Sequence, residues 1–433
     1  MAPWGSGQAG WRSFHCRGAC ASHPQRLRRL PVSTIETIQR VAAKGDGVTE
    51  SGRHISMAAP GDRILPDGSI EPGPHHAVPP CRHFSRCGGC QLQHLNEEAL
   101  SQFVYDRVVH AASGQGLEAE NVGDVHLSPP MSRRRANLRA MNGGGRPVIG
   151  FSEAGSHKLV DLRECHVLVP ELFALIAPLR ALLARRKGKY ALDIELVLTD
   201  QGVDCAIKGL TLEGLEQTEA MLDFCRDHGL ARLTLDQGYG PETLWEPDPI
   251  TVTLGGAPVP YPSGSFLQAT VDGENALGAA AKEWLAEART IADLFSGLGT
   301  FAFVLADPAR VLAAEAARDA HLACQQGAGR NLKPIKSFHR DLFRNPLRSE
   351  DFSRFDGVVL DPPRAGAREQ VAQLATSGVK RIVYISCNPS SWARDSKALI
   401  EAGYILQELR PVGQFRWSTH VELASLFVLK AGD

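Results

Sequence analysis

At 433 residues, 43% hydrophobic and 22% charged, the chain is long enough for about three domains and is globular rather than disordered or fibrous. Its 47 basic and 48 acidic residues leave a formal net charge of -1, which excludes a uniformly basic protein, so any grip on nucleic acid has to use a local patch. Its 10 cysteines are too few for a disulfide scaffold of this length, and no apolar run reaches membrane length, the stretch from Val167 to Ala184 being broken by Pro170, Glu171, Pro178 and Arg180.

Residues 1–31 carry Arg12, Arg17, Arg26, Arg28 and Arg29 and no acid; they read as a disordered tail outside the fold, in which the pair Cys16 and Cys20 is a coincidence. Residues 32–74 are rich in Gly and Pro and step through short apolar alternations ("TIETIQRVA", "DRILPDGSI"), which predict a small β-barrel. The segment 75–127 opens with Cys81, Cys87 and Cys90 spaced C-x5-C-x2-C, with Gly88 and Gly89 allowing a tight turn. Three thiols so close point to a metal or cluster, and thiolate sulfur favours zinc or iron–sulfur. Either needs a fourth ligand, from Cys165, His83 or His94. Cys165 is preferred, because four thiolates suit a [4Fe–4S] cube and because it follows a probable strand. The spacing leaves zinc and iron–sulfur open.

A helix is expected from Asn96 to about Ala112. Residues 128–260 read as α+β. "RRRANLRAM", "RPVIGF" and "HKLVDL" predict antiparallel strands, and "LDIELVLTD" with "VDCAIKGL" predict a strand pair. Flanking helices are expected over Pro170–Arg186 and Leu212–His228, the second stopped by Gly229. Over 261–433 the apolar runs "TIADLF", "RVLAAE", "DGVVLD" and "RIVYISC" alternate with helical segments at Asn275–Ala288, Thr300–Ala306, Arg318–Asn331, Arg368–Thr376 and Ser390–Ala402. That alternation predicts a parallel sheet covered on both faces, with ligands at the carboxyl ends of its strands. "THVELASLFVL" reads as the last strand.

Four motifs fall at such strand ends. In "DLFSGLGT" (Asp293–Thr300), Gly297 and Gly299 let the backbone approach a ligand at a helix N-terminus, which suits a nucleotide or S-adenosylmethionine alike. Glu315 closes the next strand, where a carboxylate holds ribose hydroxyls; there is no G-K-[ST] phosphate loop. Asp361 in "LDPPRAG" is a carboxylate stiffened by Pro362 and Pro363, placed to hydrogen-bond a planar base or to stabilise positive charge. Cys387 in "YISCNPSSWARD" stands between a strand and a Pro-led helix, whose N-terminus is expected to lower the thiol's pKa and make it nucleophilic. A carboxylate near that rim completes a nucleophile–base pair. Spacing does not choose between His420 and Glu422.

"FLQ" at Phe266–Gln268, "DLFSGLGT", Glu315, "LDPPRAG", "SCNP" and "HVE" occur in the order found in the RNA uracil-C5 methyltransferase family, which the chain resembles over residues 75–433. The Cys-rich segment with Cys165 resembles the iron–sulfur branch that modifies 23S ribosomal RNA. The resemblance implies an α/β, Rossmann-like S-adenosylmethionine-dependent methyltransferase domain with an α+β central domain. It also implies an N-terminal TRAM- or OB-like β-barrel, shortened here to end near Ile70. Cys387 would add to uracil C6, C5 would take the methyl group, and Glu422 would remove the C5 proton. The cofactor would lie against Gln268, Phe295, Thr300, Glu315 and Asp341, with Asp361 at its reactive end. Cys81, Cys87, Cys90 and Cys165 would hold the [4Fe–4S] cluster.

The base would be flipped out to reach Cys387, with neighbouring nucleotides on a basic patch of Arg133, Arg134, Arg135 and Arg139. Thr300 stands where Asn is frequent, and "GQFRWSTHVE" replaces an aromatic–Pro turn. A monomer in the cytoplasm, with no membrane partner, is the expectation. The rival readings are a transfer-RNA uracil-C5 methyltransferase and a non-catalytic iron–sulfur RNA-binding protein. A cytosine-C5 enzyme would carry a second Cys at "DPPR", and an amino-group methyltransferase an aromatic residue where Arg364 stands.

Overall fold

The computed structural model describes residues 35–307 and 309–430; the tail with Cys16 and Cys20 lies outside the described residues. Strands β1 (Glu36–Val41), β2 (Gly47–Thr49), β3 (His54–Ile55), β4 (Arg63–Ile64) and β5 (Ile70–Glu71) form an antiparallel sheet in the order β3-β2-β1-β4-β5. This is the shortened N-terminal barrel, left as an open path. Its own core is Ile38, Ala58 and Ile64. A buried large aliphatic side chain contributes about 1.5–3 kcal/mol, while ordering each residue costs roughly 1–2 kcal/mol, so the sheet depends on its neighbours. Ala59 and Val41 join it to the main core.

The Cys-rich stretch that follows has no helix or strand until α1 (Glu97–Ser113), where Asn96 Oδ1 accepts from Ala99 N at 2.9 Å and caps the helix. Two short strands come next, β6 (Asn121–Val122) and β7 (His126–Leu127). The central sheet begins with β8 (Arg135–Asn142) and β9 (Val148–Gly150). "HKLVDL", expected as a third strand, contributes an isolated antiparallel bridge between Ser152 and Leu159, with hydrogen bonds from Val160 N to Phe151 O, from Leu162 N to Ile149 O and from Glu153 N to Lys158 O. The helix expected over 170–186 is two, α2 (Pro170–Ala174) and α3 (Ile176–Ala184). Pro178 lacks the N–H that would continue the ladder across the break at Leu175.

Strands β10 (Tyr190–Thr199) and β11 (Gly202–Lys208), helix α4 (Gly214–Asp227) and strands β12 (Leu230–Asp236) and β13 (Pro241–Trp245) complete a six-stranded sheet ordered β13-β12-β11-β10-β8-β9. Its apolar face packs beneath α2, α3 and α4. β12 and β13 are additional to the sequence reading. The hairpin β14 (Thr251–Leu254) and β15 (Ala257–Pro260), also additional, leads to α5 (Val271–Trp284), which starts earlier than expected because Thr270 Oγ1 accepts from Gly273 N at 3.1 Å.

The last sheet comprises β16 (Thr290–Leu294), α6 (Thr300–Leu305), β17 (Arg310–Glu315), α7 (Arg318–Arg330), β18 (Ile335–His339), β19 (Gly357–Leu360), α8 (Arg368–Ala375), β20 (Arg381–Ser386), α9 (Pro389–Glu401), β21 (Tyr404–Gly413) and β22 (Glu422–Leu429). The order is β18-β17-β16-β19-β20-β22-β21-β6, with β7 also on β21. Strands β18 to β20 run parallel, as expected. β22, the expected last strand, is antiparallel to both β20 and β21. The physical reason is the short link from Gly413 to Glu422, below the dozen or so residues a parallel crossover needs. Both faces are covered: α1, α8 and α9 on one side, α5, α6 and α7 with the β14–β15 hairpin on the other. Among the described residues no helix is long and apolar enough to cross a membrane.

Candidate active site

The strand order reverses between β16 and β19, and the carboxyl ends of these strands open onto a cavity of about 660 Å³. After β16 the chain turns through Phe295 (φ 61°), Gly297 (φ 55°) and Gly299 (φ 89°) into α6. Gly299 is required twice, since a Cβ there would also stand 2.8 Å from Cys324 Sγ. Glu315 Oε2 accepts from Gly297 N at 2.8 Å and its Oε1 from Ala317 N at 2.6 Å, so this carboxylate shapes the glycine loop from the next strand. Asp293 is fully buried, with one oxygen bonded to Ala302 N at 2.8 Å and the other unpartnered. Burial pushes its carboxyl up to about 8.

Gln268, Phe295, Thr300, Glu315, Asp361, Cys387 and Glu422 all line this one cavity. Asp341 does not. Its Oδ1 accepts from Phe343 N and Arg344 N at 3.0 and 3.2 Å, so the carboxylate holds its own turn and presents Leu342 and Phe343 to the cavity instead.

The antiparallel placement of β22 assembles the chemical end. Ser386 pairs with Leu423, so Cys387, one residue beyond β20, faces Glu422, the first residue of β22. Glu422 is buried, which pushes its carboxyl up to about 7, and the Gln414 side chain draws it back. Asp361 is raised well above the ordinary carboxylate range by burial, then by the charges of Glu422 and Asp293. Gln268 Nε2 donates to Asp361 Oδ2 at 3.1 Å, and Gln414 Nε2 donates to Gln268 Oε1 at 2.8 Å while Gln414 Oε1 accepts from Ala269 N at 3.0 Å.

The expectation of a lowered thiol pKa at Cys387 is corrected. Burial pushes it up to about 11, Glu422 and Asp361 push the same way, and Arg364 opposes them. The N-terminus of α9 is engaged elsewhere, Asn388 Oδ1 accepting from Ser390 N at 3.2 Å, and desolvation outweighs what remains of it. His420 is exposed on one side, and its Nδ1 accepts from Arg364 Nη2 at 3.0 Å; partial desolvation of the ring, Arg364 and Arg133 hold it below the usual histidine range. Glu422, not His420, lines the cavity. The sequence reading passed over Gln414 and gave Arg364 no role in the site, and no local pattern marks a buried amide in a loop. Arg364 also anchors α9, its carbonyl accepting from Asn388 Nδ2 at 2.9 Å and Ser391 Oγ at 3.0 Å.

At a second place Cys81, Cys87, Cys90 and Cys165 line one apolar pocket with Phe84, Phe151 and Leu162. Burial raises the Cys81, Cys87 and Cys90 thiols, Cys90 to about 12, and the Cys165 thiol adds to each shift. His83 also lines the pocket, but its Nε2 accepts from Arg163 N at 3.0 Å. His94 is stacked on Phe84, with 5.9 Å between ring centres, outside the pocket wall. Among the described residues no group of three or more His, Cys, Asp or Glu is drawn in closely enough to hold a single metal ion.

The expected basic patch is not one. Arg134, just before β8, is buried, paired with Glu274 at 2.6 Å and bonded to the Gln268 backbone carbonyl at 3.1 Å. Arg133 is half-buried, its Nε donating to Arg135 O at 2.9 Å. Arg135 pairs with Glu195 at 2.8 Å and Arg139 with Asp193 at 3.1 Å. Strand alternation divides the run between two faces, and acids on neighbouring elements neutralise three of the four guanidinium groups.

The profile of the tRNA (Uracil-5-)-methyltransferase family matches residues 262–430. An uncharacterized RNA methyltransferase of Zymomonas mobilis is 49% identical over 394 residues, which cover 91% of this chain and 99% of that one. The 23S rRNA (uracil(1939)-C(5))-methyltransferase RlmD of Pectobacterium atrosepticum is 31% identical, with 84% of this chain and 82% of that one aligned. Among solved structures, the tRNA (uracil-54, C5)-methyltransferase of Pyrococcus abyssi in complex with S-adenosyl-L-homocysteine superimposes with a TM-score of 0.71 at 23% identity, covering 91% of this chain and 99% of that one. That likeness shows the fold.

Proposed function

Because the chain belongs to the RNA uracil-C5 methyltransferase family and is an RNA methyltransferase, we propose that it methylates C5 of a uridine in 23S ribosomal RNA, with Cys387 as nucleophile and Glu422 as base. The observation that carries this reading is the cross-strand placement of Cys387 and Glu422 in one cavity with Asp361. S-adenosylmethionine supplies the methyl group. Glu315, Phe295, Thr300 and Gln268 are the residues that would hold it, Asp341 acting through the turn it braces.

The uracil has to leave its stack to enter the cavity. Cys387 Sγ then bonds to C6, and the C5=C6 electrons move onto C5 and the O4 carbonyl as an enolate. C5 becomes nucleophilic and takes the methyl group. Glu422, whose raised pKa matches a base working near neutrality, takes the C5 proton. The electrons of that C–H bond re-form C5=C6 and expel the Cys387 thiolate. The thiol is protonated at rest and gives its proton to solvent before the attack, an ionisation that the positive charge of Arg364 eases; the thiolate expelled at the end takes a proton back from solvent.

The four thiols would ligate a [4Fe–4S] cluster. Four thiols lining one pocket are the ligand set that such a cluster takes. With every iron carrying a cysteine, such a site would do structural work, tying segment 81–90 to Cys165. Ribosomal rather than transfer RNA is supported by the RlmD similarity and by this thiol set. The non-catalytic reading is set aside by family membership.

The test uses RNA carrying 5-fluorouridine with the methyl donor. Fluorine at C5 leaves Glu422 no proton to take, so a denaturation-resistant adduct at Cys387 is expected. No adduct, despite measured RNA binding, overturns the mechanism. Nucleoside mass spectrometry of a deletion strain separates the substrates: 5-methyluridine lost only from transfer RNA would overturn the ribosomal assignment and leave the chemistry standing.

A further inference from the structure

Ionising the Cys387 thiol calls for a positive charge close by, and Arg364 shares the cavity wall with it. The Arg364 side chain is exposed, and a side chain of that length samples many rotamers unless something ties it down. Among the described residues its guanidinium has one hydrogen-bond partner in the protein, Nδ1 of His420 at 3.0 Å. A guanidinium can only donate, so Nδ1 carries no proton and accepts. The imidazole is therefore neutral, with its hydrogen on Nε2.

The ring is held in its turn. Phe415 meets it edge-on, with 5.8 Å between ring centres, and the Arg133 guanidinium lies 5.6 Å from the centre of the Phe415 ring. His420 N donates to Ser418 Oγ at 3.3 Å. The β21–β22 loop that carries Phe415, Ser418 and His420 is pinned from outside its own sheet. Trp417 O accepts from Gln91 N at 2.7 Å and from Leu92 N at 2.9 Å, and Arg416 Nη1 donates to Ser128 O at 3.0 Å. Gln91 directly follows Cys90, so the segment with three of the four clustered thiols also holds this loop.

His420 stands outside the cavity wall, whereas Arg364, Cys387 and Glu422 line it. Its route to the chemistry runs through Arg364 and not through the substrate.

We propose that His420 is a positioning residue of this site: its Nδ1, presented by the pinned loop, holds the Arg364 guanidinium beside Cys387 and so eases ionisation of the thiol. Its effect on turnover rests on Cys387 being the nucleophile; its effect on the thiol does not.

The test is alkylation of Cys387 by iodoacetamide at fixed, mildly alkaline pH in the full-length protein without RNA, followed on the Cys387 peptide by mass spectrometry. The rate reads the thiolate fraction, and the reagent is uncharged, so an arginine does not attract it. His420→Phe keeps a ring against Phe415 and removes the acceptor; alkylation should slow about 2- to 10-fold, the range for one lost hydrogen bond. His420→Leu, which also lacks the acceptor, should slow it as much. His420→Asn, whose side-chain oxygen can accept in place of Nδ1, should recover most of the rate. Adding Arg364→Met to His420→Phe should slow alkylation no further than Arg364→Met alone, because both act through one contact. An unchanged rate in both acceptor-free variants, an equal loss in His420→Asn, or additive losses in the double variant overturns the proposal. The expected alkylation pattern in a protein that forms no adduct with 5-fluorouridine RNA would strike the Cys387 mechanism alone.

Discussion

Gln414 Nε2 donates a 2.8 Å hydrogen bond to Oε1 of Gln268, and Gln268 Nε2 donates in turn to Asp361 at 3.1 Å. Two amides thus link the β21–β22 loop to the carboxylate at the tip of β19. Glu422 lies at the near end of the same chain, with Gln414 lowering its pKa.

Replacing Gln414 by Met keeps the volume and leaves the Ala269 amide and the Gln268 side-chain Oε1 without their partner. Each unmet buried group costs about 1–3 kcal/mol, so the variant should melt several degrees lower. The Glu422 pKa should also rise. The acid limb of the pH–rate profile is expected to move to higher pH, a shift that a purely structural lesion would not produce.

Glu422 governs the pH dependence. It acts as a base when ionised, so turnover should rise with pH through about 7. The stability effect has the opposite sign. Its pKa is 4.5 in the reference state and about 7 in the fold, so between these values the native state holds more protons and stability falls as pH rises. The loss is on the order of 3 kcal/mol. Glu422→Gln should therefore be more stable than the parent at pH 8 by thermal melting, while turnover falls by about 10²–10⁴. A variant destabilised at pH 8 would contradict the buried-carboxylate account.

Arg364 is the positive charge that opposes the burial and the acids which push the Cys387 thiol up to about 11. Arg364→Met should shift the midpoint of Cys387 alkylation by iodoacetamide to higher pH and slow methylation at neutral pH. If the midpoint stayed in place, the electrostatic role of Arg364 would be wrong.

For the thiol pocket, Cys165→Ala in the protein as purified should reduce iron content and visible absorbance. Cys225→Ala, in the core of the central domain, should leave both unchanged. Full iron content in the Cys165 variant would remove that residue from the ligand set.

Much of the site was legible in the chain itself. Apolar strands alternating with helices determine a covered sheet, and its glycine turn, carboxylates and Cys387 fall at strand ends because motifs and periodicity are local. Direction and pairing are not local. Only the short link between β21 and β22 turns the last strand around, and that reversal puts Glu422 opposite Cys387. Burial then reversed the expected shift of the Cys387 thiol. Cys165 meets the other three thiols through packing of distant segments, and the arginines of β8 lose their free charge to acids on other elements. Sequence carries short-range pattern and residue chemistry; register, burial and charge pairing depend on neighbours brought together across the fold, so tertiary structure decided them.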